Sequence, residues 1–309
     1  MSITGVFFIP SNPNAATAFA TVNERLRSSF ADEPVPVGRW ALEHKLMRDT
    51  PSCLPASANP SQKPLQPRYM QFLSLSHYPD HGFVYTSEST EEHHRASKAP
   101  SAALGLQSDK SSMIMSTVPL ASYNTLFGHF AFACQPFWCH RHTVTILGGI
   151  VYEIGDFRVR LGDVRQTQPA VRVRGTVVEI EWRGPSLIAS IPSRTALTNV
   201  NTETDSDSGI NVTPPFAVEE ADIDAEYAAA ATLIREFWAK LDIKGAREAI
   251  LVPDVGKEIK QRLRQWKRKG SKRSREPQSA VDDPQDEDPD VDAGVDLARQ
   301  LMEILRFNR

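Results

Sequence analysis

Two runs of strictly alternating residues constrain this chain more than any other feature. They are Phe157-Arg158-Val159-Arg160-Leu161 and Val178-Glu179-Ile180-Glu181-Trp182. Side chains on a β-strand alternate between faces, so each run carries one apolar face and one charged face. Antiparallel pairing sets Phe157 against Trp182, Val159 against Ile180 and Leu161 against Val178 on a core face. The same register sets Arg158 against Glu181 and Arg160 against Glu179, on what should be the outer face. Each such pair contributes roughly 0.2–1 kcal/mol. A slip of one residue would exchange the faces, so a single register satisfies both. Val171 and Val173 are odd-numbered, but from Val178 onward the apolar residues are even-numbered. A β-bulge at Gly175 accounts for that change of phase. Arg165, Arg172 and Arg174 are left without glutamates. With Arg158 and Arg160 neutralised, the hairpin reads as a solvated or protein-contact face rather than a nucleic-acid surface.

Other segments supply the remaining elements. Gly5–Pro10 reads as a buried strand ended by its proline. Phe19, Val22, Leu26 and Phe30 fall on one helix face, with Asn14 as a suitable N-cap. Trp40–Met47 fits strand or helix on pattern alone. Met70–Leu75 and Phe83–Thr86 form two strands about a turn at Pro79–Gly82. Residues 121–142 begin as a helix that Pro136 kinks or ends. Thr143–Leu147 and Ile150–Ile154 read as a hairpin turning at Gly148-Gly149. Ile223, Tyr227, Ala230, Ile234, Phe237 and Leu241 make a clean helical stripe, and Val255, Ile259, Leu263 and Trp266 make a second. Leu297, Leu301, Ile304 and Leu305 make a third, on a helix that either packs back on the body or docks on a partner.

The expected fold class is α+β, an antiparallel β-barrel flanked by helices, with a disordered charged segment before a C-terminal helix. The barrel domain takes residues 1–254, with Pro- and Ser-rich loops at about 51–68, 87–112 and 193–220. A basic helix (255–269), a disordered basic and acidic linker (270–292) and an amphipathic helix (293–309) follow. The linker composition offers too little apolar area to offset ordering entropy. The net charge is -3, so no overall field attracts a polyanion. Three cysteines suit a reducing compartment. No apolar run approaches the ~20 residues a bilayer crossing takes, and the first residues lack the basic start of a signal peptide. An intracellular protein without membrane contact is expected.

Sites with chemistry are scarce. Cys134, Cys139, His140 and His142 are zinc-ligand types, but their spacing fits no standard knuckle. His77, Asp80 and His81 flank Pro79, which prevents the helix that a paired-histidine zinc site needs. No nucleophile elbow, phosphate loop or dinucleotide fingerprint is present. No cofactor, metal or catalytic residue is expected. Arg262, Arg264, Lys267, Arg268, Lys269, Lys272, Arg273 and Arg275 form a dense basic run, a candidate nuclear-import signal. Direct DNA binding is not expected. The alternatives are a nucleic-acid binder using that tail, or a barrel enzyme with Arg160 and Arg172 unpaired in a pocket.

The stretch YEIGDFRVRLGDVRQ followed by RVRGTVVEIEWRGPS resembles the subunit 20 family of the Mediator complex in its filamentous-fungal form. GVFFIP, GRWALEHKLMRD, FLSLSHYPDHGFVY, FWCHRHTVTILGGIVYEIG and IREFWAKLDIKGAREAILVP agree in the same order. The resemblance covers about residues 1–265, without the loops. It implies a non-enzymatic subunit of the coactivator's head module, pairing as a heterodimer with subunit 18 and tethered by the C-terminal helix of subunit 8. It also implies a nuclear location and a scaffold role linking activators to RNA polymerase II, which is met indirectly.

Overall fold

The computed structural model describes residues 2–11, 16–50, 68–87, 113–135, 137–188, 191, 218–272 and 292–307. Among the described residues nine strands lie in one sheet: β1 (Ile3–Pro10), β2 (Val35–Asp49), β3 (Tyr69–Leu75), β4 (His81–Ser87), β5 (Met113–Pro119), β6 (Trp138–Ile154), β7 (Phe157–Gln168), β8 (Arg172–Trp182) and β9 (Arg247–Ala249). Their order is β5-β4-β3-β2-β6-β7-β8-β1-β9, and every neighbouring pair is antiparallel. The helices are α1 (Phe19–Ser29), α2 (Leu120–Gly128, continued by a π turn over His129–Ala133), α3 (Glu220–Lys240), α4 (Lys257–Lys272) and α5 (Val295–Leu305).

The hairpin that anchors the sequence reading forms in the expected register. Phe157 faces Trp182, Arg158 faces Glu181, Val159 faces Ile180, Arg160 faces Glu179 and Leu161 faces Val178. The pairing then jumps from Val164–Gly175 to Arg165–Val173, so Arg174 is the bulged residue beside Gly175. A Cβ on Gly175 would lie 2.2 Å from the Ile9 carbonyl oxygen, so β1 approaches this backbone too closely for any side chain.

One expected hairpin does not exist. Gly148-Gly149 is not a turn, because β6 runs unbroken from Trp138 to Ile154. Gly149 serves close packing instead: a Cβ there would stand 2.1 Å from the Trp40 indole nitrogen, which donates to the Leu161 carbonyl. The register against β2 slips here, between Trp40–Gly149 and Leu42–Ile146, a bulge that lets a long strand coil. Trp40–Met47 resolves as strand within β2. The short strands β5 and β9 escape the sequence reading. Helix α1 begins at Phe19 behind Ala18, whose side chain makes no cap, while Asn14 lies outside the described residues. Helix α4 extends to Lys272, past the expected boundary at 269.

Edge strands β5 and β9 do not pair with each other, so the sheet is curled rather than closed into a barrel. The curl is nonetheless strong. Helix α5 packs against β1 and β9 at one end of the strand order and against β3, β4 and β5 at the other. From β3 to β1 is five inter-strand steps, about 24 Å in a flat sheet, twice the diameter of a helix. Only a sheet wrapped around α5 brings both ends onto it. The convex face carries the other core, in which Ile3, Phe7, Val159, Leu161, Val178 and Ile180 meet α1, α3 and α4. Phe7 stacks on Trp238 of α3 with ring centroids 4.1 Å apart.

Candidate functional site

The concave face is the interior that an open barrel would offer to a ligand. Its occupant is built from the last helical stripe. Nine of the eleven α5 residues are buried, which marks an interior helix rather than a surface one. Leu297, Leu301, Met302, Ile304 and Leu305 pack on Val6, Phe8, Leu42, Leu73, Phe83 and Val144.

Each polar residue buried on α5 has a matched partner. The Gln300 amide accepts from Thr4 Oγ1 at 2.7 Å and donates to the Thr4 and Ile250 carbonyls at 2.7 and 2.8 Å. Arg299 grips Glu258 of α4 with both terminal nitrogens and reaches Asp296 at 3.0 Å. Asp296 in turn accepts from the Tyr227 hydroxyl at 2.6 Å and from the Gly256 amide. Burial pushes the Asp296 carboxyl up, against the pull of Tyr227 and Arg299. At the far end, Arg247 Nη2 donates to the Ile304 carbonyl at 2.9 Å, and the His142 ring bonds the Leu305 backbone. The cationic Arg247 there suits the negative end of the helix dipole. The helix therefore packs back on its own body.

A second polar group lies beside it. Arg160 bonds Glu179 through Nη1 and lies 2.9 Å from Glu181 Oε2. The pairing was expected, but its place was not. Arg160 is 6% exposed and Glu179 0%, so this is no outer face. Val164 and Val177 on the same side belong to the α5 core, and the curl encloses the charges. Burial pushes the Glu179 carboxyl up to about 7 despite Arg160. Burial, then the charges of Arg160 and Arg158, lower His77 to about 3. His44 and His142 form a third buried pair, with rings 6.1 Å apart. Burial lowers them to about 4 and about 3 respectively.

The zinc-type residues diverge. Cys139 Sγ donates to the Arg48 carbonyl, His140 bonds Thr143 Oγ1, and His142 faces α5. Cys134 is a half-buried free thiol. His77 and Asp80 sit in the turn between β3 and β4, and His81 opens β4. Among the described residues no three His, Cys, Asp or Glu side chains form a group able to hold a metal. The enzyme alternative needed Arg160 and Arg172 unpaired, but Arg160 holds two glutamates and Arg172 Nε donates to Gln166 Oε1.

The basic run is divided by the fold. Arg262 pairs with Asp292 at 3.0 Å, and Arg264 takes both oxygens of Glu220. Lys267 and Arg268 are exposed on α4, whose backbone also includes Lys269 and Lys272. Arg273 and Arg275 lie outside the described residues. No helix is long and apolar enough to cross a membrane among the described residues.

Comparison with known families decides the identity of this architecture. The model of the TATA-binding related factor of subunit 20 of the Mediator complex matches residues 1–306, nearly the whole chain. The chain belongs to the Mediator subunit 20 family. It is thus a subunit of a nuclear complex for transcription regulation, and it associates with other Mediator subunits. No curated protein matches it. Among solved structures it is similar to the PH1819 protein from Pyrococcus horikoshii OT3 at 10% identity. That match covers 79% of this chain and 93% of the other with a TM-score of 0.34, too slight to carry any argument. Within the family match, Thr4, Arg299 and Gln300 are interior polar residues that sequence reading missed, as is the exposed Arg247 that reaches the end of α5 from β9. Arg299 and Gln300 interrupt an apolar helix, and that interruption was the available signal.

Proposed function

We propose that this family member is a non-enzymatic scaffold of the Mediator head module. It forms a heterodimer with subunit 18, is tethered by the C-terminal helix of subunit 8, and links activators to RNA polymerase II without touching the polymerase itself. The observation that carries this reading is the filled interior. Helix α5 occupies the concave face where a barrel enzyme would hold its substrate. The buried charges there bind one another. Surfaces are left to do the work, which suits an assembly subunit.

Nuclear residence follows from that role, with the basic run from Lys267 onward as the import signal. Co-expression with subunit 18 of the same organism, followed by size-exclusion chromatography with light scattering, tests the scaffold reading. A stable one-to-one complex is expected. A well-behaved monomer that ignores subunit 18 would overturn it.

A further inference from the structure

Several arginines of this molecule are matched to carboxylates: Arg158 and Arg183 to Glu153, Arg160 to Glu179, Arg235 to Glu248. The end of the β7–β8 hairpin instead gathers two arginines on a buried amide. Gln166 is 2% exposed, and its Oε1 accepts from two guanidinium groups at once. Arg172 Nε donates at 3.1 Å and Arg174 Nε at 2.8 Å. The Arg174 guanidinium also lies over the Phe307 ring, 5.0 Å from its centroid. Among the described residues neither arginine has a carboxylate partner.

Two cations on one neutral oxygen repel each other. Burial, then the Arg172 charge, hold the Arg174 guanidinium below its ordinary range. The fold imposes the pairing, because Arg174 is the residue that the β7–β8 ladder skips and Arg172 pairs with Gln166. Each arginine bonds Gln166 through Nε, which leaves the terminal nitrogens of both to point elsewhere. Paired, pre-oriented guanidinium N–H groups are what bidentate recognition of a carboxylate requires.

We propose that Arg172 and Arg174, ordered on Gln166 and Phe307, form an anion-recognition fork that docks an acidic segment of another protein. A peptide fits better than nucleic acid. Electrostatic affinity for nucleic acid grows with the number of phosphates neutralised, and two arginines on a chain of net charge -3 neutralise few. The fork is flanked by Val171, 82% exposed, and by the half-buried Phe307, which offer apolar contact beside the carboxylate. The chain's own acidic stretch fits less well. It ends at Asp292, whose carboxylate is held by Arg262 before the start of α5, a helix about 16 Å long with Phe307 just past its other end.

The test is fluorescence anisotropy of a labelled peptide of alternating Asp and Leu, added to the full chain at low salt. Saturable binding below about millimolar is expected. It should weaken at least about tenfold in Arg172→Ala/Arg174→Ala, as the loss of charge-assisted hydrogen bonds implies. The exposed control Arg27→Ala should leave it unchanged. Gln166→Glu gives the fork an internal carboxylate, so binding should fall equally while the thermal midpoint holds or rises. Binding unmoved by either fork variant, or no binding at all, overturns the proposal. So does tighter binding of a single-stranded oligonucleotide of equal charge, or binding that appears only when the acids of residues 282–290 are changed to amides. The last result would make the chain's own segment the occupant.

Discussion

At the scale of single residues the energetics centre on charges that are buried yet matched. Arg160 faces two glutamates inside the curl, and removing one member of such a group strands the rest. Arg160→Ala is expected to cost about 3–5 kcal/mol of unfolding free energy, read by urea denaturation. Arg160→Met with Glu179→Leu and Glu181→Leu should recover most of that loss, since no charge is then left unpaired. The pH dependence has a definite sign. Buried His44, half-buried His77 and buried His142 stay neutral down to about 4, 3 and 3. An unfolded histidine takes its proton below about 6.5. Acid therefore favours the unfolded chain, and stability is lost as pH falls from about 6.5 toward 4. Glu179 runs the other way, because its folded value near 7 lies above the unfolded 4.5, and its contribution is lost as pH rises through 7. Asp296, also raised by burial, adds to Glu179, and His140, also lowered by burial, adds to the other histidines. Four groups outweigh two, so the thermal midpoint should drop between pH 6.5 and 4.5. His44→Gln/His142→Gln should shrink that drop even while lowering the midpoint overall.

At the scale of elements the decisive piece is α5. It closes the concave face, and its side chains complete one of the two main cores. Leu301, fully buried against the sheet, is expected to cost about 2–5 kcal/mol on truncation to alanine. Removing residues 292–309 should leave a chain that binds a hydrophobic dye and aggregates. A synthetic peptide of residues 292–307 added in trans should reduce both effects, measured by dye fluorescence and light scattering. If the shortened chain stays monodisperse and dye-free, α5 is not part of the core. Much of the elements was legible in the sequence. The 3.6-residue stripes of α3 and α5 and the period-two runs of β7 and β8 each report a buried face directly. The false hairpin at Gly148-Gly149 shows the limit. A glycine pair signals a turn and a close approach alike, and only Trp40, more than a hundred positions away, decides between them.

At the scale of the whole molecule, family membership and the filled interior point outward, to surfaces and partners. Deleting residues 267–276 is expected to reduce nuclear accumulation of a fluorescent fusion in cells where subunit 18 is depleted. Unchanged accumulation there would remove the import role from the basic run. The sequence by itself determined the register of the β7–β8 hairpin, the helical stripes and the family. Those depend on neighbours along one strand or helix and on ordered local matches. Only the tertiary structure decided that the charged face of the hairpin is interior, that α5 lies within its own sheet, and that Arg172 and Arg174 share one amide. The physical reason is curvature. Alternation says which side chains share a face, but whether that face meets water depends on how far the sheet bends and on what it bends around.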